Sequence, residues 1–168
     1  MSLLLPDYSF HRIYEIPLSF FQEHAISALV LDVDNTLTTH NNPEPSQQVL
    51  IWLEQMKAAE ILLTIVSNNR PERVRPFAEL LQLDFVANGA KPFPKGILEA
   101  ARRMATDPRH LAVIGDQLFT DIAGAHTAGA TAILVEPMEP ESMWFFKFKR
   151  ALERPFLHVY HRKAGKKV

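Results

Sequence analysis

Two carboxylates separated by one residue close an apolar run in this 168-residue chain. Asp32 and Asp34 stand in Asp32-Val33-Asp34-Asn35-Thr36-Leu37-Thr38, directly after Ala28-Leu29-Val30-Leu31. The apolar run reads as a buried strand. Side chains two positions apart on extended chain point the same way, so both acids should leave the strand's carboxyl end together. Open α/β sheets bind ligands at that edge. Two acids held there can bind a divalent cation, with one left to attack an electrophile or to move a proton. A solvated acid pair ending a strand explains the local pattern almost as well, and other strand ends have to decide.

Three more apolar runs end on groups of complementary chemistry. Ile61 to Val66 ends at Ser67-Asn68-Asn69, and Phe85 to Ala87 leads to Asn88-Gly89-Ala90-Lys91. Leu111 to Ile114 runs into Gly115-Asp116, with Asp121 about one helical turn later. If the strands are parallel, all these ends share one edge. Carboxylates, a lysine and a hydroxyl then make a site for Mg²⁺ and a phosphoryl group. The hard cation takes oxygen ligands, the lysine neutralises phosphate, and hydroxyl and backbone N–H groups hold its oxygens. Plainer readings exist for each residue. Ser67 and Thr36 could be caps, Asp121 an early-helix acid favoured by the dipole, and Asn68 and Asn69 turn formers. Lys95 competes with Lys91 but falls in a helix's first turn, where lysines are usually solvated. No pair of the seven histidines has metal-ligand spacing, and His158 and His161 read as tail surface.

The elements that must position these groups alternate. Ser46 caps a helix running to about Ala59, with Val49, Leu53 and Met56 on one face. Pro71 opens a helix carrying Val74, Phe77, Ala78 and Leu81. Pro94 opens another, with Ile97, Leu98, Ala101 and Met104 inward. A helix from about Thr120 to Ala128 ends at Gly129, and Thr131 to Val135 is the fifth strand. Strands alternating with helices imply parallel pairing and right-handed crossovers. The expected fold is α/β, a three-layer Rossmann-like sandwich. Its central, mostly parallel five-stranded sheet has helices on both faces. The stretch to Ile26 should be extended chain or short helices packed on the sheet. The intervals Thr36–Ser67 and Ser67–Lys91 each hold only a helix and a strand, too little for a separate cap domain. An open site suits a bulky substrate. The expected division is a domain over 1–140 and a C-terminal helix or tail over 141–168, docked on the same domain.

With no cysteine, disulfides, thiolate metal sites and cysteine nucleophiles are excluded. That agrees with a reducing cytosol, and the expected location is cytoplasmic. No run approaches the roughly 18 apolar residues of a spanning helix. The net charge of −1 divides unevenly. Residues 1–140 carry 10 Lys and Arg against 17 Asp and Glu; residues 141–168 carry 8 against 2. As a helix over 141–154, the tail would set Trp144, Phe148 and Leu152 on one side with Phe145 beside them. Lys147, Arg150 and Arg154 would fall opposite. Such a stretch can lie on an anionic membrane at its inner face, and packing of the aromatic face on the domain is the alternative. The acidic body argues against nucleic acid.

These motifs resemble the haloacid dehalogenase-like (HAD) superfamily of aspartate-nucleophile phosphotransferases. Asp32-x-Asp34-x-Thr36 looks like its first motif, Ser67 its second, Lys91 its third, and Gly115-Asp116 with Asp121 its fourth. The phrases DVDNTLT, VSNN, AKP and GDQLFTD, with the opening LLPDYSFHRIYEI, resemble subfamily IIIA and its YqeG-like branch. That branch includes phosphatidylglycerophosphate phosphatases. The resemblance implies Asp32 as nucleophile, Asp34 as general acid and base, and Ser67, Asn68 and Lys91 on the phosphoryl oxygens. It implies Mg²⁺ bound by Asp32, the Asp34 backbone carbonyl and Asp116, with Thr36 and Asp121 in support. The expected reaction is hydrolysis of a phosphomonoester, a lipid headgroup first among the substrates. A soluble phosphosugar or nucleotide phosphatase, lidded by a neighbouring subunit in a homo-oligomer, is the second reading. A receiver domain needs its acceptor Asp after the third strand, where Asn88 stands here. A non-catalytic module leaves the complete motif set unexplained.

Overall fold

Six parallel strands form one sheet in the computed structural model, which describes residues 3–39, 42–139 and 151–160. They are β1 (Tyr8–Phe10), β2 (Ala28–Leu31), β3 (Leu62–Val66), β4 (Asp84–Val86), β5 (Leu111–Gly115) and β6 (Thr131–Val135). Their order across the sheet is β1-β6-β5-β2-β3-β4. The helices are α1 (Leu18–Glu23), α2 (Gln47–Ala58), α3 (Pro71–Leu81), α4 (Lys95–Arg103) and α5 (Ala123–Ala128). Residues 151–160 are helical as well.

The period of two in the strands sorts their side chains into two cores. Leu29 and Leu31 of β2, Ile65 of β3 and Ile114 of β5 join Phe21 of α1, Trp52 and Met56 of α2, and Phe77 of α3. Ala28 and Val30, Val66 and Val113 face the other way, onto Ile97 and Ala100 of α4 and Ala125 of α5. Phe156 and Leu157 from the 151–160 helix pack on this second core. Helices therefore cover both faces, giving the expected three layers. Ser46 caps α2 by accepting the Val49 N–H, and Pro71 sits in the first turn of α3.

Three details differ from the sequence reading. The sheet has six strands rather than five, because Tyr8–Phe10 pairs parallel with β6. Three residues are too few to show a period. This strand is held instead by its neighbours: Asp7 Oδ2 accepts the Ala132 N–H at 2.8 Å, and Phe20 meets the rings of Tyr8 and Phe10 edge-on. In α4 the inward stripe is Gly96, Ile97, Ala100 and Ala101, while Leu98 is exposed. Gly96 sets that rotation: a side-chain carbon there would collide with the Gly89 backbone, against which the helix start is pressed. The helix expected from Thr120 opens as a wide π-type turn, Leu118–Ile122, before α5 begins.

Between Thr36 and Ser67 the described chain builds α2 and β3; between Ser67 and Lys91 it builds α3 and β4. No cap domain interrupts either interval among the described residues. Of the stretch read as an aromatic and basic helix, Trp144, Phe145, Lys147, Phe148 and Arg150 lie outside the described residues. Leu152 is exposed. Among the described residues no helix is long and apolar enough to cross a membrane.

Candidate active site

From β2 the chain builds outward to β3 and β4 on one side, then to β5 and β6 on the other. The reversal falls beside β2, the switch point at which parallel sheets open a crevice. Asp32 follows β2, Ser67 follows β3, and Asp116 follows β5, so adjacent strands deliver all three to one spot. The Asp32 N–H donates to the Ile114 carbonyl at 3.0 Å, which holds the nucleophile candidate at the end of the ladder. Beyond it the chain turns tightly: Asn35 adopts a left-handed conformation and its N–H donates to the Thr38 carbonyl at 2.7 Å. Thr36 is buried in this turn, and its hydroxyl has no hydrogen-bond partner among the described residues.

Lys91 reaches the crevice from the loop after β4. Its ammonium donates to Asp32 Oδ1 at 2.8 Å and to Asp121 Oδ1 at 2.6 Å, and only 2% of its side chain is exposed. Asn68 fastens the lysine from behind, accepting the Lys91 N–H at 2.8 Å and donating to the Lys91 carbonyl at 2.9 Å. The Asn68 amide, expected on phosphate, is thus bound to this backbone. Ser67 is buried, and its hydroxyl accepts the Asn69 N–H at 3.1 Å. Asp121 Oδ2 accepts the Gln117 N–H at 3.1 Å. Gly115 makes room for it, since a side-chain carbon there would overlap the Asp121 carboxylate.

Burial pushes the Asp32 carboxyl up from its ordinary range; Lys91 pulls it back, and Asp121 and Asp34 push it further up. Burial also works against the Lys91 ammonium. Asp121 and Asp32 more than offset that and hold its pKa above the usual lysine range. Asp32, Asp116 and Asp121, all buried, each offer a carboxylate oxygen within 4.8 Å of the others. Among the described residues Lys91 is the ammonium that meets this cluster, and an all-oxygen donor set suits a hard divalent cation. The residues present therefore fit a metal of that class, with Asp121 placed among the candidate ligands as well as on Lys91.

Three further residues complete the crevice. Asp34 is held on both oxygens, by Asn69 Nδ2 at 2.8 Å and by Arg73 Nη2 at 3.1 Å. Glu153, buried in the helix over 151–160, accepts the Leu118 N–H at 3.0 Å and the Phe119 N–H at 3.5 Å. It thereby caps the wide turn that carries Asp121. In the sequence Asn69 suits a tight turn as well as a site, with no partner specified. Arg73 and Glu153 carried no motif. The available signal for Glu153 was an acid in a basic tail, at helical spacing from Phe156 and Leu157.

The arrangement is that of an aspartate-based phosphatase, and the comparisons agree. A HAD-hydrolase-like family model matches residues 89–137, and a mitochondrial PGP phosphatase model matches residues 1–77. The probable phosphatase YqeG of Bacillus subtilis is 35% identical over 160 residues, spanning 95% of this chain and 93% of that protein. A haloacid dehalogenase-like hydrolase structure from Bacteroides fragilis aligns with a TM-score of 0.57 at 16% identity, over 68% of this chain and 90% of its own. The cobalt-bound octulosonate 8-phosphate phosphatase of Haemophilus influenzae aligns at 0.54 and 12% identity, over 86% and 95%. These two likenesses concern the fold. The chain belongs to the HAD-like phosphatases, in the family of YqeG, and is a phosphoric monoester hydrolase.

Proposed function

We propose that the protein is a Mg²⁺-dependent phosphatase that hydrolyses phosphatidylglycerophosphate to phosphatidylglycerol through an aspartyl-phosphate. The observation that carries the substrate reading is the match of residues 1–77 to the PGP phosphatase model. The crevice, which has no cap domain among the described residues, supports it, because a lipid headgroup must enter while its acyl chains stay outside. This reading puts the enzyme in the cytoplasm, working at the inner face of the membrane.

In the first step Asp32 attacks phosphorus, the bond to the leaving oxygen breaks, and Asp34 gives that oxygen its proton. In the second, Asp34 takes a proton from water as the water attacks phosphorus, releasing inorganic phosphate and restoring Asp32. Lys91 moves from Asp32 to the phosphoryl oxygens while Asp121 keeps it oriented and charged. Ser67 holds another phosphoryl oxygen. Asn68 acts through its grip on the Lys91 backbone. Asp32, Asp116 and the Asp34 backbone carbonyl, with Asp121 in support, would hold Mg²⁺, which would supply positive charge to the site when bound.

The test is turnover of phosphatidylglycerophosphate and of soluble phosphosugars by wild type and Asp32→Asn, with and without magnesium. Asp32→Asn should fold, bind substrate and lose at least about a thousandfold in kcat, since the nucleophile itself is removed. Undiminished magnesium-dependent turnover by that variant would remove the nucleophile assignment. A preference for soluble monoesters would remove the lipid.

A further inference from the structure

We propose that Arg73 selects the leaving group by binding a second anionic group on the substrate, beyond the phosphoryl being transferred. The proposal rests on the phosphomonoesterase reading above and adds a binding residue to it. Arg73 lies in the first turn of α3, and its guanidinium reaches back to Asp34 Oδ1 at 3.1 Å. Asp34 is the acid that must protonate the leaving oxygen, so the arginine stands where the leaving group departs.

The pair is unequal. The Arg73 side chain is 56% exposed, against 18% for Asp34. An exposed ion pair of this kind contributes little. Exchanging the carboxylate for a substrate anion is therefore nearly balanced, and a bidentate anion at the guanidinium adds the difference.

The surroundings give a second substrate group room beside the arginine. A cavity of about 450 Å³ opens beside Asp34 between the loop after β2 and α3. Among its described lining residues Arg73 is the cation, Asp34 and Glu44 are the anions, and Pro76, Phe77 and Leu80 give an apolar wall. Leu80 is exposed at the rim. The site thus offers, in order outward, a phosphoryl clamp, one cation and an apolar surface. A neutral leaving group leaves Arg73 on Asp34, where its charge opposes protonation of the carboxylate. An anionic one draws the arginine away and removes its charge from Asp34. The fitting chemistry is a phosphomonoester with a second phosphate a short spacer away, from either an acylated lipid or a soluble diester.

The experiment compares wild type, Arg73→Ala and Arg73→Lys of the full chain with magnesium on three substrates. These are p-nitrophenyl phosphate, the deacylated glycerophosphate headgroup bearing a phosphodiester, and dispersed phosphatidylglycerophosphate. Arg73→Ala should lower kcat/KM about ten- to a hundredfold on both doubly anionic substrates, mainly through KM, as expected for losing a charged hydrogen bond. Arg73→Lys should restore part of it, and the loss on p-nitrophenyl phosphate, which has no second anion, should be clearly smaller. An equal loss on all three substrates makes Arg73 a support for Asp34 and overturns the proposal, as does no loss on any. A loss confined to the dispersed lipid overturns it too, by moving the contact to the bilayer surface. Calorimetric titration of the deacylated headgroup into Asp32→Asn, with and without Arg73→Ala, separates this idea from the phosphatase reading. Affinity should fall about tenfold with Arg73 removed, even if wild type turns nothing over. Unchanged affinity overturns the arginine assignment while leaving the phosphatase reading intact.

Discussion

Lys91 decides whether the acids of this crevice can coexist. It bridges Asp32 and Asp121 at 2.8 and 2.6 Å, where burial removes the screening that water would give. Removing one member of a buried ion network leaves the others uncompensated, at about 3–5 kcal/mol. Lys91→Met is therefore expected to destabilise the protein by about that amount in the absence of divalent cation. A cation that binds only the folded chain stabilises it by mass action, and the more negative variant cluster should bind it more tightly. Millimolar magnesium should then raise the urea midpoint of Lys91→Met more than that of wild type. An equal rise in the two proteins would mean that the cation does not sit among these carboxylates. Asp32, Asp34, Ser67, Lys91 and Asp116 could be picked out before any fold was known because each closes or follows an apolar strand. Arg73 could not, nor could the Asn69 contact with Asp34, because these depend on which way a helix start and a turn face.

Among the elements, strand β1 and the helix over 151–160 are each tied down by polar side chains. Glu153 ties the helix over 151–160 to the turn after β5, and no period announces a carboxylate that caps another segment's N–H groups. Strand β1 is tied down by Asp7 and His126. His126 Nε2 lies 3.3 Å from Asp7 Oδ2, and its Nδ1 is 3.0 Å from the Leu3 carbonyl. The hydrogen bond to Asp7 raises the His126 pKa above its ordinary 6.5, against partial burial. Burial pushes the Asp7 carboxyl up, but His126 and the Ala132 N–H together take it below its ordinary 3.8. The raised histidine stabilises the fold fully below about pH 6.5, and that contribution fades as pH climbs through the folded-state value. The lowered aspartate stabilises above about pH 3.8 and fades as pH falls through its own folded value. The pair therefore contributes most near pH 5. His126→Ala should lower Tm more at pH 5.5 than at pH 8.5, and hydrogen exchange should place the loosening in β1. A Tm difference that does not vary with pH would show that the histidine acts by packing alone.

Over the whole molecule, the proposed lipid substrate raises a question of charge, since an acidic body would have to approach an acidic surface. Residues 1–140 carry a net −7 and residues 141–168 a net +6. The body should be repelled by anionic headgroups, so attraction has to come from the last 28 residues. A basic residue near such a surface contributes about 1 kcal/mol, or about fivefold in partitioning. Testing this by truncation would mislead, since Glu153 lies in that segment and supports the turn bearing Asp121. Point neutralisation avoids the difficulty. Lys163→Gln, Lys166→Gln and Lys167→Gln together should reduce binding to vesicles containing phosphatidylglycerol by about a hundredfold if all three reach the surface. Binding of the wild type should fall steeply toward about 1 M salt, where the screening length shrinks to about 3 Å. On the soluble, deacylated headgroup, the triple variant should keep the wild-type kcat/KM, because the crevice is assembled from the strand ends and α3. Vesicle binding that ignores both salt and the three substitutions would mean that the lipid is recognised in the crevice alone. The basic tail would then have no part in bringing the enzyme to its substrate.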